Sequence, residues 1–255
     1  MKQTLAPRSL PHPVRIGCAG WNVPKLVSPS FATDGSHLER YSRVFNCCEI
    51  NSSFYRSHKN ETWRRWAETV PEDFRFSVKL SKAITHEAKL VNTAEPLSRF
   101  FREIAYLGEK LGTVLIQLPP SLKFDPSVVH TFFSQLRKIS QNDIVCEPRH
   151  ETWFDERVNE LLKEFHVGRV AADPPCVPVA GTPGGDPDLA YFRLHGSPRR
   201  YYSSYNSQFL SELASELRRL STNSRTWCIF DNTASGSAIE NAMVLNAQLR
   251  EPALP

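Results

Sequence analysis

Eight short apolar runs, at 14–20, 44–51, 74–80, 113–118, 144–149, 167–172, 190–195 and 226–232, alternate along this chain with segments of helical period. Such runs fit strands covered on both faces, because burial on both sides removes the polar alternation of a half-exposed strand. The segment 96–111 places Leu97, Phe100, Phe101, Ile104, Leu107 and Leu111 on one helical face, with Gly112 as its stop. The pattern predicts a second helix over 127–139, through Val128, Val129, Phe132, Phe133, Leu136 and Ile139. Two more are expected after Asp155 and Ser207, residue types whose side-chain oxygens accept the free N–H groups of a first turn. A last helix is expected over 236–249. Eight strands alternating with helices over this length predict an α/β chain folded as a (β/α)8 TIM-like barrel with parallel strands. An open doubly wound sheet is the competing architecture, but no strand is followed by a G-x-G-x-x-G turn. The segment 173–188 is rich in proline and glycine and has no helical period, so the sixth helix is expected to be missing or reduced.

A chain of 255 residues, 40% hydrophobic and 23% charged, can bury a core without disulfides or a structural metal. Prolines at 7, 11 and 13, with no apolar signal-like region, mark 1–13 as a flexible N-terminal tail. Residues 14–250 read as a single domain. No apolar run is long enough for a transmembrane helix, so no membrane partner is expected. The six cysteines form no CxxC pair, and five lie in strand-like runs. They read as buried reduced thiols of a cytoplasmic protein. A net charge of +4 permits an anionic partner without demanding one.

Charge falls where a barrel strand should be apolar. Strand 2 ends in Glu49 and Asn51, strand 5 in Glu147 and Arg149, strand 7 in Arg193 and His195. In each pair the residues are two apart and share a face. Facing the outer helices they would be buried and unpaired, so the interior near the C-terminal mouth is their place. Lys79, Gln117, Asp173 and Asp231 extend the set to further strands. A salt-bridge layer plugging the barrel, Glu147 with Arg193 or Glu49 with Lys79, is the structural alternative. Buried ion pairs are poor stabilisers, however, so a ring of them points to a functional site.

Seven ordered motifs carry a resemblance. They are Gly17-Cys18-Ala19-Gly20-Trp21; Glu49-Ile50-Asn51-Ser52-Ser53-Phe54-Tyr55; Phe76-Ser77-Val78-Lys79 with Ile84-Thr85-His86; Gln117-Leu118-Pro119-Pro120-Ser121; Glu147-Pro148-Arg149-His150-Glu151-Thr152-Trp153; Arg193-Leu194-His195-Gly196; and Phe230-Asp231-Asn232 with Gly236, Asn241 and Ala242. Through them the chain resembles the YecE-like family, domain of unknown function 72 (DUF72), over nearly all its length after the tail. The resemblance implies a TIM-like barrel and no activity, since none is assigned to the family. Its members often carry Thr-Ser where this chain has Cys18-Ala19, and Asn where it has Asp231. The first difference removes hydroxyls from strand 1, and the second adds a negative charge at strand 8.

Within the mouth, Glu49 and Glu147 are the acid/base candidates, joined as catalytic candidates by His195 and Lys79. Strands 2 and 5 lie across the barrel, so a glycosidase carboxylate pair is disfavoured. Lys79 reads as a charge partner or oxyanion clamp, and a Schiff base there requires desolvation. Trp21, Asn51, Tyr55, His86, Gln117, Arg149, His150, Arg193, Asp231 and Asn232 form the candidate substrate-binding set. Glu49, Glu147, His150, Asp173, His195 and Asp231 offer the oxygen and nitrogen ligands of a divalent metal. Lys79, Arg149 and Arg193 project into the same mouth and repel one, so a metal is possible but not favoured and the cofactor stays unknown. The loops carry Arg56, Lys82, Lys89, Arg199 and Arg200 beside Tyr201, Tyr202 and Tyr205, a composition suited to phosphates and stacked bases. Two functions follow. One is an enzyme acting on a polar, anionic, phosphate-bearing substrate, with metal-dependent phosphodiester hydrolysis as a variant. The other is a non-catalytic nucleic-acid or nucleotide-binding protein using those loops.

Overall fold

The computed structural model describes residues 13–25 and 27–250; the tail expected over 1–13 lies, but for Pro13, outside them. The strands are β1 (Arg15–Cys18), β2 (Cys47–Ile50), β3 (Arg75–Lys79), β4 (Leu111–Gln117), β5 (Asp143–Glu147), β6 (Val167–Arg169), β7 (Ala171–Asp173), β8 (Gly184–Gly185), β9 (Leu189–Leu194) and β10 (Arg225–Phe230). The helices are α1 (His37–Ser42), α2 (Ser52–Tyr55), α3 (Asn60–Thr69), α4 (Ala94–Ile104), α5 (Pro126–Ile139), α6 (Glu156–Glu164), α7 (Ser207–Leu220) and α8 (Ser237–Arg250). Two sheets form, in the orders β2-β3-β4-β5-β6-β8 and β1-β10-β9-β7. All neighbours are parallel except β6 and β8.

The expected sixth strand is split at Val170 into β6, which pairs with β5, and β7, which pairs with β9, so one run of chain carries the order from one sheet to the other. Val170 still donates its N–H to Cys146 C=O at 2.8 Å. The other join, between β1 and β2, is a single parallel bridge from Ala19 to Glu49. Its cause is Tyr41 of α1, whose hydroxyl is wedged between the strands. That hydroxyl accepts from Cys18 N–H at 2.7 Å and donates to Cys47 C=O at 3.0 Å, in place of a direct ladder bond. Gly17 is required there, because a Cβ on it would lie 2.1 Å from Cys47 O. The result is the strand order of a TIM-like barrel, with the ladder interrupted at these two joins.

Between β7 and β9 the chain holds a 3-10 turn, Pro178–Gly181, and β8, with no α-helix, as the proline content led one to expect. Two helix boundaries differ from the sequence reading. The helix expected over 96–111 ends at Ile104 and continues as 3-10 turns to Lys110, because Gly108 has φ 55° and breaks it. Gly112 lies inside β4 rather than stopping a helix. The cap of α7 is Asn206, whose side chain accepts from Phe209 N–H at 2.9 Å, so Ser207 is the first helical residue. Asp155 caps α6 as expected. Below the mouth, Cys47, Leu115, Val145, Val170, Leu189, Tyr191, Trp227 and Ile229 fill the interior, while a larger apolar shell packs strands against helices. None of the described helices is long and apolar enough to cross a membrane.

Candidate active site

Arg193, at the C-terminal end of β9, is fully buried and organises the mouth. Its Nε and Nη2 donate to the two oxygens of Glu49 at 3.0 and 2.7 Å. Nη1 donates to Glu147 Oε2 at 2.5 Å, and Nη2 also to Asp231 Oδ2 at 3.0 Å. One guanidinium thus reaches three carboxylates from β2, β5 and the residue after β10, a use its planar fork permits and an ammonium's does not. The period-two pattern brings in its neighbours. His195, two residues on, places Nδ1 3.0 Å from Asp231 Oδ2 and Nε2 3.0 Å from Glu147 Oε1. A neutral imidazole has one N–H, so serving both carboxylates takes a second proton on the ring or on one of them. Arg149 donates Nε and Nη2 to Glu147 Oε1 at 3.2 and 3.1 Å. Burial alone would push the Glu147 carboxyl up, but Arg193, His195 and Arg149 hold it well below the usual carboxylate range. Asp231 is likewise lowered, burial being outweighed by Arg193 and His195.

Lys79 ends β3 in the same mouth and takes no part in the network. Of the two ion pairs of the plugged-barrel alternative, Glu147 with Arg193 forms, whereas Glu49 with Lys79 does not, because Arg193 occupies both oxygens of Glu49. The amine lies over the Phe54 ring, 4.2 Å from its centroid, with no hydrogen-bond or ion-pair partner among the described residues. Burial, and then the Arg193 charge, bring its pKa down from 10.5 to about 8, against the opposing pull of Glu49, Glu147 and Asp231. Gln117 lies at the end of β4, 6% exposed, its amide donating to Leu118 C=O at 3.3 Å. His86 packs edge-on against Phe54, and its pKa is lowered by burial and by the charges of Lys79 and Arg149. Asn51 and Trp21 line a cleft of about 440 Å3 above β1 and β2, together with Gly20, Asn22, His37 and Ser52. Asn51 Oδ1 is buried and accepts no hydrogen bond from the described residues.

Other candidates fall outside this arrangement. His150 turns into its own loop, where Nδ1 accepts from Thr152 N–H at 3.2 Å, a capping role. Tyr55 is 71% exposed on α2. Asn232 is buried and donates to Ser203 C=O and Asn241 Oδ1, both at 2.9 Å, tying the loop after β9 to α8. Asp173 accepts from the Tyr205 hydroxyl at 2.7 Å, so Tyr205 is a buried strut and not a loop aromatic. Among the described residues no three of His, Cys, Asp and Glu converge as a metal-holding set. Arg193 is bonded to both oxygens of Glu49 and to one each of Glu147 and Asp231, the carboxylates a divalent ion would need.

Two residues the sequence reading passed over complete the floor. The Tyr191 hydroxyl donates to Glu49 Oε2 at 2.9 Å and lies 2.8 Å from Ser77 Oγ, which supplies its second bond. Tyr191 precedes Arg193 by two on β9, so the periodicity that exposed Arg193 and His195 already placed it on the same face. Tyr191→Phe strips a donor from buried Glu49 and orphans Ser77, and is expected to cost about 1–2 kcal/mol of stability. Urea denaturation checks this, and an unchanged midpoint would show that the hydroxyl contributes nothing to the network.

Comparison with known proteins agrees with the motif reading. Residues 15–254 match the family described as "Protein of unknown function DUF72". UPF0759 protein YecE of Escherichia coli (strain K12) is 30% identical over 166 residues, 63% of this chain and 59% of its own length. UPF0759 protein YunF of Bacillus subtilis (strain 168) is 25% identical over 260 residues, 89% of this chain and 92% of its own. A DUF72 family protein from Thermotoga maritima MSB8 superposes with a TM-score of 0.78 at 26% identity, covering 94% of this chain and 100% of that one. A sugar phosphate isomerase/epimerase from Parabacteroides distasonis ATCC 8503 shares the fold, with a TM-score of 0.54 at 12% identity, over 97% of this chain and 99% of that one.

Proposed function

The chain belongs to the DUF72 family, a family of unknown function, and from the geometry of its barrel mouth we propose that it is an enzyme acting by acid/base chemistry on a polar, anionic, phosphate-bearing substrate. The observation that carries this reading is the division of labour in the mouth. Glu49, Glu147 and His195 are 0%, 1% and 1% exposed, and both oxygens of each glutamate and both nitrogens of His195 are engaged, so they hold their neighbours in position. Three groups of different character retain a little side-chain surface, Lys79, Arg149 and Asp231, which are 8%, 18% and 14% exposed. Arg149 keeps donors beyond its bonds to Glu147 and anchors the anion. Lys79 and Asp231 flank the reacting atoms, one basic when neutral and the other an acceptor held in place by Arg193 and His195. The buried Asn51 oxygen, without a donor among the described residues, is a polar group of this mouth still lacking a partner. The metal-dependent variant loses support, since a cation would have to displace Arg193 from the oxygens it binds.

The test is calorimetric titration with a panel of phosphorylated sugars and carboxylates. At least one is expected to bind, and Arg149→Met is expected to weaken it roughly 10-fold or more, the loss of a charge-assisted hydrogen bond. If instead single-stranded nucleic acid binds, and binding is lost in Arg199→Ala with Arg200→Ala but kept in Arg149→Met, the loop-based binding function replaces this one.

A further inference from the structure

We infer that Lys79 captures the substrate covalently, its amine adding to a carbonyl carbon to form an iminium, so that the ligand of this mouth is an anionic aldehyde or ketone. The inference rests on the reading of the mouth as a site for an anionic substrate. Its first support is an omission in the ion network. Glu49, Glu147 and Asp231 surround the mouth, yet each gives its bonds to Arg193, Arg149, His195 or Tyr191 and none to Lys79. A lysine used as a charge partner would take one of those oxygens. This one rests on the Phe54 face, which fixes the amine in place without occupying its hydrogen-bond positions. As a cation–π contact the ring favours the charged form, so the neutral fraction comes from burial and Arg193 and not from the ring.

The second support is how firmly the side chain is based. The Lys79 carbonyl accepts the Ser53 hydroxyl at 2.7 Å, and Ser53 and Phe54 are adjacent in α2, so one short helix fixes both the root and the tip of the lysine. Burial and the neighbouring Arg193 also leave a substantial neutral fraction near pH 8. The third is the company: Arg149 offers an anion anchor, and Asp231 has an oxygen, Oδ1, that accepts nothing from the described residues. The chemistry balances without an added oxidant or reductant. The amine lone pair forms the C–N bond, the carbonyl oxygen takes a proton, and the nitrogen gives one up. The resulting hydroxyl then leaves as water with a second proton, so that amine, carbonyl and one proton become an iminium and water. Asp231, whose Oδ1 accepts nothing from the described residues and whose Oδ2 is bonded to His195, is the acid/base partner we assign to those proton transfers.

The test is reductive trapping at pH 8 with cyanoborohydride and three probes: glyoxylate, glycolaldehyde phosphate and dihydroxyacetone phosphate. Hydride fixes an iminium as a secondary amine, which peptide mass spectrometry locates. With at least one probe Lys79 is expected to be modified 10-fold or more faster than exposed Lys59 and Lys89. Modification of Lys79 no faster than those two with all three probes overturns the inference. The same probes are titrated without reductant against wild type and Arg149→Met. Binding that depends on Arg149 without a Lys79 adduct removes the iminium and leaves the anionic-substrate reading standing. The absence of both removes the two together.

Discussion

Arg193→Met is expected to lose about 3–5 kcal/mol of stability at pH 7, because it leaves buried carboxylates without their counter-charge while keeping most of the side-chain volume. For a chain of this size that lowers Tm by about 10 °C or more. The pH dependence separates this cause from a packing defect. In the wild type the folded pKa values of Glu147 and Asp231 lie below their unfolded values. Their contribution is therefore present above the unfolded carboxylate range and is lost as pH falls through the folded values. Without Arg193, burial is far less opposed and pushes the carboxylates up. The unfolded chain then ionises first, so the variant's stability declines as pH rises from about 5 to 7. The gap between variant and wild type is expected to be widest at neutral pH and to narrow toward pH 5. Thermal unfolding at both pH values measures it, and a gap that does not change with pH would mean that the guanidinium fills space and does not balance charge.

How much of this was legible depends on what a side chain answers to. The strands were readable because burial on both faces forces apolar runs, and the mouth was readable because Glu147, Arg149, Arg193 and His195 violate that rule at spacing two. The missing sixth helix followed from prolines that cannot donate or continue a helix. Helix α1 was missed although Ser36 and Glu39 form a capping box, the S-x-x-E signal for a helix start. Which carboxylate goes to which cation was not legible. Arg193 and Lys79 are both basic residues on inward strand ends, and only the reach of a fork over three carboxylates decides that one is saturated and the other left alone. His150 shows the same limit. Its position beside Arg149 suggested the mouth, but Nδ1 is consumed by a bond two residues away, a local competition that the motif spacing does not display.

Lys79→Met is expected to make the protein more stable, by about 3 kcal/mol near pH 7. An amine whose folded pKa is about 8 and whose ordinary value is 10.5 is held charged at neutral pH against its surroundings. Between those values the unfolded chain binds more protons, so this residue alone makes stability rise with pH across that window. The wild type will not display the rise directly. Buried Cys18, Cys47, Cys48, Cys146 and Cys228 have thiols that burial pushes up, so each keeps its proton in the folded state after the unfolded chain has lost it. Their contribution falls as pH passes about 9 and outweighs a single lysine. Both proteins share the cysteines, so the difference between them isolates Lys79. That difference is expected to shrink by about 1.4 kcal/mol per pH unit above pH 8. Urea denaturation of both proteins at pH 7, 8, 9 and 10 gives the slope. A variant that is less stable than wild type at pH 7 would mean that Lys79 is a paired structural cation, and would remove the ground for giving it a chemical role. A stabilising loss, fading as the amine deprotonates, is what a reactive group leaves behind when stability has been given up for chemistry.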